Sequence, residues 1–194
     1  MTEIDTRTQI LNATEIRFSQ YGYNKTTMAE IARDCDMSAA NLYRYFDNKL
    51  DIGAAIANLC LVEKERELGI IVNDVALTSA EKLNSFIQYV LHYTYNYFSE
   101  SPRISELIEA MSTQRPDVMN AHRQSSFSLL HTLLAEGLEN GEFFFADIEQ
   151  TTEAINTSIT AFYLPTVMPM FSLEEFEYKA KIVFELLVKA ISKP

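Results

Sequence analysis

The sequence predicts an all-α protein, a head of three short helices followed by a larger helical body, about nine helices in all. Three observations predict it. Apolar residues recur at helical spacing along nearly the whole chain, and no stretch keeps the strict alternation of a half-buried strand. Glycine and proline are scarce, five of each in 194 residues, and they fall between the periodic segments. Hydroxyl and carboxylate residues stand where helix N-termini need them. With 47% hydrophobic and 22% charged residues, the chain has enough apolar surface to offset ordering entropy, which excludes a disordered chain.

Each element has its own local reason. The first helix runs from about Thr6 to Tyr21, with Ile10, Thr14, Phe18 and Tyr21 on one face, and Gly22 ends it. Thr27-Met28-Ala29-Glu30 is a capping box that opens a second helix, ending near Asp34. Ser38 caps a short third helix through about Arg44. A long fourth helix begins near Asn48 and reaches about Val72. Ser79, or Thr78 boxed with Glu81, opens the fifth, which runs to about Phe98. Its apolar residues cover more than one side: Leu83, Ile87 and Leu91 on one face, Phe86, Val90, Tyr93 and Tyr97 on another. Such a helix is buried or lines a cavity. Ser101-Pro102 starts the next, with proline where its missing N–H costs nothing. Arg115-Pro116-Asp117 separates it from a helix through about Asn140, closed by Gly141. Asp147 caps an amphipathic helix over 148–164 that Pro165 stops or kinks. Ser172-Leu173-Glu174-Glu175 boxes the last helix, roughly 173–191.

Charge separates the head from the body. The net charge is −11, which argues against a general polyanion binder. Residues 1–50 carry six basic and seven acidic side chains, leaving ten basic against twenty acidic in the other 144. A near-neutral head on a strongly acidic body suggests two jobs, with only the head able to approach nucleic acid. The longest nearly apolar run, Ile52 to Val62, is broken by Asn58 and falls short of the roughly 20 residues a membrane span needs. The start, Met-Thr-Glu-Ile-Asp, is no secretory signal. Two cysteines, Cys35 and Cys60, make neither a disulfide framework nor a four-ligand zinc site. The cytoplasm is the expected place.

Residues 27–46 hold the strongest functional signal. A short helix, a tight connection at Cys35–Met37 and a second short helix make a helix-turn-helix, whose second helix can lie in a DNA major groove. The segments Ile10-Leu11-x-Ala13, Phe18-x-x-Tyr21-Gly22-Tyr23, Thr26-Thr27-Met28-x-x-Ile31-Ala32 and Ser38-x-x-x-Leu42-Tyr43-Arg44-Tyr45-Phe46-x-Asn48-Lys49 together resemble the TetR family of bacterial transcriptional regulators. The resemblance covers about residues 6–52. Beyond it, the helical layout and the Asn140-Gly141-Glu142-Phe143 turn look similar. The division it implies is a helix-turn-helix DNA-binding domain at 1–50 and a helical effector-binding and dimerisation domain at 51–194.

The residues of the head have physical roles beside that resemblance. Ile31, Ala32, Leu42 and Phe46 read as packing. Thr27 stands at a helix N-terminus, where an amide and a hydroxyl suit a phosphate oxygen or simply cap the helix. Tyr43 and Tyr45 look like the family's phosphate contacts, although one of them could simply pack. Lys49 opens a helix, where the dipole disfavours a cation, so a phosphate partner explains it better than solvent does. Arg44 suits phosphate, a base edge, or plain solvent. Base reading falls to Ser38, Ala39, Ala40 and Asn41. Asn41 can pair bidentately with adenine, and the alanines offer methyl contact. With so few polar reading groups, DNA shape and a second half-site would add specificity. Two positions depart from the family pattern: Asp36 stands at a turn position usually glycine and must be left-handed, and Arg17 stands at a leucine-like position.

For the body, the resemblance implies a small-effector site and a homodimer through the last two helices. Segments 148–164 and 173–191 are amphipathic (Ile148, Ala154, Ile155, Ile159, Phe162; Phe176, Ile182, Phe184, Leu187), as helices of a dimer bundle or of an ordinary core would be. Candidate ligand residues are Phe86, Tyr89, Tyr93, Tyr97, Met111, Phe127, His131, Phe162 and Tyr163, an adaptable apolar set. The acidic body favours a neutral or cationic hydrophobic effector. No two of His92, His122 and His131 stand at i, i+4, and no Gly-x-Ser-x-Gly elbow or phosphate loop occurs; no metal, cofactor or catalytic residue is expected. The leading reading is therefore an effector-responsive repressor, binding a palindromic operator as a homodimer and not acting as an enzyme. The alternatives are an all-helical metal-binding or enzymatic bundle with a vestigial head, and a protein-interaction regulator that has lost DNA binding.

Overall fold

The computed structural model describes residues 5–100 and 103–192; the Ser101-Pro102 start lies outside them. Among the described residues the order is α1 (Thr6–Tyr21), α2 (Met28–Asp34), α3 (Ala39–Leu42), α4 (Lys49–Val72), α5 (Ser79–Glu100), α6 (Ile104–Gln114), α7 (Pro116–Glu139), α8 (Ile148–Ser158), two 3-10 segments (Thr160–Phe162 and Pro165–Met170), and α9 (Leu173–Ile191). There is no strand among them, only an isolated bridge between Phe143 and Ser192. The chain forms two compact units. One holds the described residues of Met1–Val62 and Phe98–Asn120, the other those of Glu63–Tyr97 and Ala121–Pro194. The division falls inside α4, and α6 belongs with the head.

In the first unit the cap signals explain the helix starts. Thr27 and Glu30 form both halves of a capping box, Ser38 accepts the amide of Asn41, and Asn48 accepts that of Asp51. Ile10, Phe18, Ile31, Ala32, Leu42, Phe46, Ile52 and Ile56 are buried. α4 and α6 approach so closely at Gly53 that a methyl group there would lie 2.7 Å from Leu107.

Two local expectations change in this unit. Tyr21 is 52% exposed and Tyr23 takes the core place instead, edge-on to Phe18 at 5.2 Å. The cause is Gly22, whose φ of 88° ends the helix and swings the following ring inward. Helix α3 ends at Leu42 rather than Arg44: the amides of Arg44 and Tyr45 bond three residues back, to Asn41 and Leu42. That tighter turn delivers Phe46 into the core.

In the second unit, Leu83, Ile87 and Leu91 of α5 are fully buried, with Leu130, Leu133 and Leu134 of α7. Gly137 is required by close approach, because a Cβ there would lie 2.2 Å from the Phe143 ring. The helix expected over 148–164 ends at Ser158. Ser158 and Thr160 turn their hydroxyls back onto the carbonyls of Ala154 and Asn156, which competes with helix propagation. The chain continues as 3-10 turns, still burying Ile159 and Phe162. α9 carries two apolar faces. Phe176, Ala180 and Ile191 are buried, while Tyr178, Ile182 and Leu186, four residues apart, are 66%, 46% and 67% exposed.

Candidate nucleic-acid interface

The amino end of α2 is closed by its own side chains. The Glu30 carboxylate accepts from the Thr27 amide at 2.9 Å and from its hydroxyl at 2.8 Å, and the Thr27 oxygen accepts the Glu30 amide at 3.3 Å. The Thr27 hydroxyl and amide hold the Glu30 carboxyl below its ordinary range. Thr27 is exposed, with its amide and hydroxyl both engaged by the Glu30 carboxylate.

Arg17, at the leucine-like position, makes a two-pronged pair with Asp34, with one arm at 2.9 Å. The third nitrogen, Nη1, lies 3.6 Å from Glu30, and the guanidinium sits 4.9 Å over the Tyr21 ring. Charge thereby pins α2 to α1 where a leucine would have packed. The pairing raises the Arg17 pKa and lowers that of Asp34.

The turn between α2 and α3 is closed by backbone bonds from Cys35 to Ile31, Asp36 to Arg33 and Met37 to Ala32. Asp36 takes the left-handed conformation, φ 52°. It is the only positive-φ residue other than glycine among the described residues. Cys35 and Cys60 are half-buried free thiols; burial, then the neighbouring Asp34 and Asp36, push the Cys35 thiol up.

Helix α3 presents a graded surface. Ser38, Ala40, Tyr43 and Arg44 are exposed, and Ala39, Asn41 and Tyr45 half-exposed. Leu42 and Phe46 anchor it from beneath at 0% and 4% exposure. The exposed face of α3 is thus small and backed by buried side chains, with Tyr43 and Arg44 beside it. Arg7, which the sequence did not single out, donates to the Tyr45 carbonyl at 3.2 Å and sits 4.2 Å over the Phe46 ring.

Lys49 faces inward. Its ammonium donates to the carbonyls of Tyr23 at 2.6 Å and Thr26 at 2.9 Å, with Asn24 at 3.5 Å, and lies 4.2 Å over the Tyr23 ring. Burial lowers its pKa, opposed by the Glu106 and Glu30 carboxylates. From α6, Glu106 accepts the Asn24 amide at 2.7 Å, and Arg103, just before that helix, donates to the Tyr21 carbonyl at 2.9 Å. Both contacts cross 82 residues, and no local pattern announces either.

Of the ligand candidates, the second unit brings Tyr89, Tyr93 and Tyr97 into a ladder with ring centres 5.9 and 6.2 Å apart. Phe86 and Phe162 are buried. Tyr163 bonds Thr160 at 3.1 Å. Phe127 lines a separate open groove with Glu149, Gln150, Glu153, Ala154 and Thr157, and His131 lies 3.3 Å from Glu149 at its rim. Met111 belongs to the first unit and packs near Gly53. His122 lies 2.6 Å from Glu65 and His92 3.2 Å from Glu177. Among the described residues no group of three His, Cys, Asp or Glu side chains is placed to hold a metal, and no helix is long and apolar enough to cross a membrane.

Two family models match the chain: bacterial regulatory proteins of the tetR family over residues 10–56, and the tetracyclin repressor-like C-terminal domain over residues 79–184. No curated protein matches in sequence. Solved structures share the fold at low identity. SmeT, the repressor of the Stenotrophomonas maltophilia multidrug efflux pump SmeDEF, is 21% identical with a TM-score of 0.72, covering 98% of this chain and 92% of its own; its triclosan complex aligns equally well, TM-score 0.72 at 20% identity over 97% and 92%. A transcriptional regulator from Cytophaga hutchinsonii reaches 0.76 at 21% identity over 95% of this chain and 97% of its own. The regulator FadR from Bacillus subtilis, in complex with stearoyl-CoA, gives 0.67 at 18% over 93% and 96%.

Proposed function

The chain belongs to the tetR family of bacterial regulatory proteins, and on that premise we propose that it is an effector-responsive repressor, working in the cytoplasm as a homodimer on a palindromic operator. It regulates rather than catalyses. The observation that carries the reading is the exposed face of Ser38, Ala40, Tyr43 and Arg44 over the buried Leu42 and Phe46. A rigidly supported helix with a bare outer face is what major-groove reading requires. In the bound state Ser38, Ala39, Ala40 and Asn41 meet base edges, with Asn41 as the adenine reader. Thr27, Tyr43, Arg44, Tyr45 and Lys49 meet phosphate, Thr27 through the helix N-terminus; Lys49 reaches it by giving up one of its carbonyl bonds.

The dimer reading is supported by the outer face of α9. Tyr178, Ile182 and Leu186 are large, apolar and exposed at a four-residue spacing, which suits a bundle formed with a second copy through α8 and α9. Two such heads would sit about 34 Å apart on successive turns of the duplex.

The effector is a small hydrophobic molecule. The neighbouring rings of Tyr89, Tyr93 and Tyr97 offer adaptable aromatic walls, Phe86 and Phe162 are further buried aromatics, and the triclosan and the stearoyl chain of the stearoyl-CoA carried by two fold relatives are apolar. Its binding shifts a two-state equilibrium by favouring one setting of α4, which spreads the two heads. It acts only through different affinity for the two states.

The test is fluorescence anisotropy of the full chain on its upstream intergenic DNA across a salt series, beside Arg44→Ala and Asn41→Ala. Tight binding that falls steeply with salt, with a shallower slope for Arg44→Ala and altered sequence preference for Asn41→Ala, is expected. Salt-indifferent binding, or none on that DNA and none from a random-sequence pool, would sink the reading.

A further inference from the structure

Segment 21–26, from the last residue of α1 to the start of α2, adds to its backbone bonds from Gly22 to Phe18 and from Thr26 to Tyr23 a set of side chains from elsewhere in the first unit. The Tyr21 carbonyl takes Arg103, the carbonyls of Tyr23 and Thr26 take Lys49, and the Asn24 amide gives to Glu106. Within the segment, the Thr26 hydroxyl closes onto the Gly22 carbonyl at 2.8 Å. The Glu106 carboxylate lies so close to Gly22 that any Cβ there would sit 2.7 Å from its oxygens. Gly22 is therefore shaped for Glu106 as much as for its own φ of 88°. One carboxylate and one ammonium, from α6 and from the start of α4, grip the same six residues, and the next residue is Thr27, the cap of α2.

We propose that Glu106 is a positioning residue for DNA binding: by holding Asn24 against α6 while Lys49 holds the neighbouring carbonyls, it sets where the amino end of α2 and the start of α4 present themselves to the phosphate backbone. The inference rests on the DNA-binding reading above. Its consequence is directional. α6 is joined in the chain to α5 and to α7, whose residues fall largely in the second unit. A displacement of α6 along its axis would pull on Asn24 through Glu106, and so on Thr27 three residues later.

Charge and geometry predict opposite signs, which makes the test sharp. Glu106 is an acid in the DNA-binding unit. If it acted only by its charge, removing it would tighten binding to a polyanion. As a positioning residue, its removal weakens binding. The control is Glu109, exposed one turn along the same helix, with no side-chain hydrogen bond or ion pair among the described residues.

The experiment uses the full chain and the duplex that the wild type selects from a random-sequence pool. Anisotropy titrations compare wild type, Glu106→Ala, Glu106→Gln and Glu109→Ala, with amide hydrogen exchange read at Asn24 and over residues 27–30. Glu106→Ala is expected to bind about tenfold more weakly, the worth of one charge-assisted hydrogen bond, with its salt slope unchanged and its Asn24 amide exchanging faster. Glu106→Gln keeps an acceptor but no charge and is expected to lose about threefold. Glu109→Ala binds as the wild type does or tighter. Binding by Glu106→Ala as tight as wild type overturns the proposal, as does an unchanged Asn24 exchange rate. If Glu106→Ala does not fold, as judged by its thermal transition, Glu106→Gln decides, and unchanged affinity there overturns it. A wild type that selects no duplex removes the DNA-binding reading itself, a failure visible in that arm alone.

Discussion

Arg17 and Asp34 face each other as a two-pronged ion pair that joins the middle of α1 to the end of α2. The Arg17 side chain is only 11% exposed and that of Asp34 31%, so the pair is partly shielded from solvent. Removing Arg17 takes away both arms of the pair and leaves the Asp34 carboxylate, 31% exposed, without its guanidinium partner. Arg17→Ala is expected to destabilise the first unit by about 1–2 kcal/mol in urea unfolding, between the values for exposed and buried pairs. The sign with pH is fixed. Asp34 titrates below its ordinary 3.8 in the folded chain, so its contribution is present above that value and is lost as pH falls through the depressed one. Arg17→Ala should therefore show a shallower loss of stability on acidification below about pH 4; an identical acid limb would show that the pair contributes nothing.

Asp36 sits in the left-handed region that glycine enters without strain. Asp36→Gly removes an αL cost of about 1–2 kcal/mol for an ordinary side chain, less for aspartate, and adds about 0.5–1 kcal/mol of unfolded-chain entropy. The net expected gain is small, about 0.5 kcal/mol. DNA affinity should rise more visibly, because a negative charge leaves the edge of the reading helix. A lower affinity on the selected duplex would mean that Asp36 contributes a contact.

Lys82 is the most deeply buried charge described, its side chain 2% exposed, with both Glu136 oxygens 2.7 Å from its ammonium. Glu136→Ala leaves that ammonium buried and unpaired, and thermal or urea unfolding should show a loss of about 3 kcal/mol. Lys82→Met removes the charge and keeps the apolar stem, leaving a glutamate that is 40% exposed and able to find water. It should cost clearly less. Equal losses would show that the pair itself is what stabilises the unit and that the stranded ammonium adds no further cost.

Ile182 and Leu186 test the proposed dimer. Ile182→Glu with Leu186→Lys should leave the helical circular dichroism of the chain unchanged, because both side chains are exposed in the single chain, while sedimentation equilibrium moves from dimer to monomer and the thermal transition falls with the lost association. DNA affinity should fall with it, since one head alone holds one half-site. A dimer that persists in the double variant would place the subunit contact elsewhere.

Thr27 with Glu30, Ser38 with Asn41, Thr78 with Glu81, Asp147 with Gln150 and Ser172 with Glu175 are all three residues apart. Each was legible because both partners lie in one short stretch. The left-handed turn at Asp36 was legible through the resemblance, which puts a glycine at that position. The inward side of α3 was legible from local spacing, Leu42 and Phe46 being buried as that spacing suggests.

Where several local outcomes were open, the sequence misplaced detail. Tyr21 fits the inner stripe of α1 by spacing, yet Tyr23 fills that place because Gly22 redirects the chain. The hydroxyls after Ile155 cut α8 short although the apolar period runs on to Phe162. Met111 shares the chemistry of the aromatic set but belongs to the other unit.

The sequence by itself determined the helix starts, the left-handed turn, the helix-turn-helix and the membership of the head in its family, because caps, turns and amphipathic periods are encoded over three to five residues. Only the tertiary structure decided the partners of Lys49, 23 and 26 residues back at Thr26 and Tyr23, of Arg17 at Asp34, of Lys82 at Glu136, and of Asn24 at Glu106. A lysine at the start of a helix reads as a cation seeking an anion. That it instead closes on backbone carbonyls follows from α4 and the 21–26 segment being packed together, and packing depends on burial summed over the whole unit rather than on any neighbour in the chain.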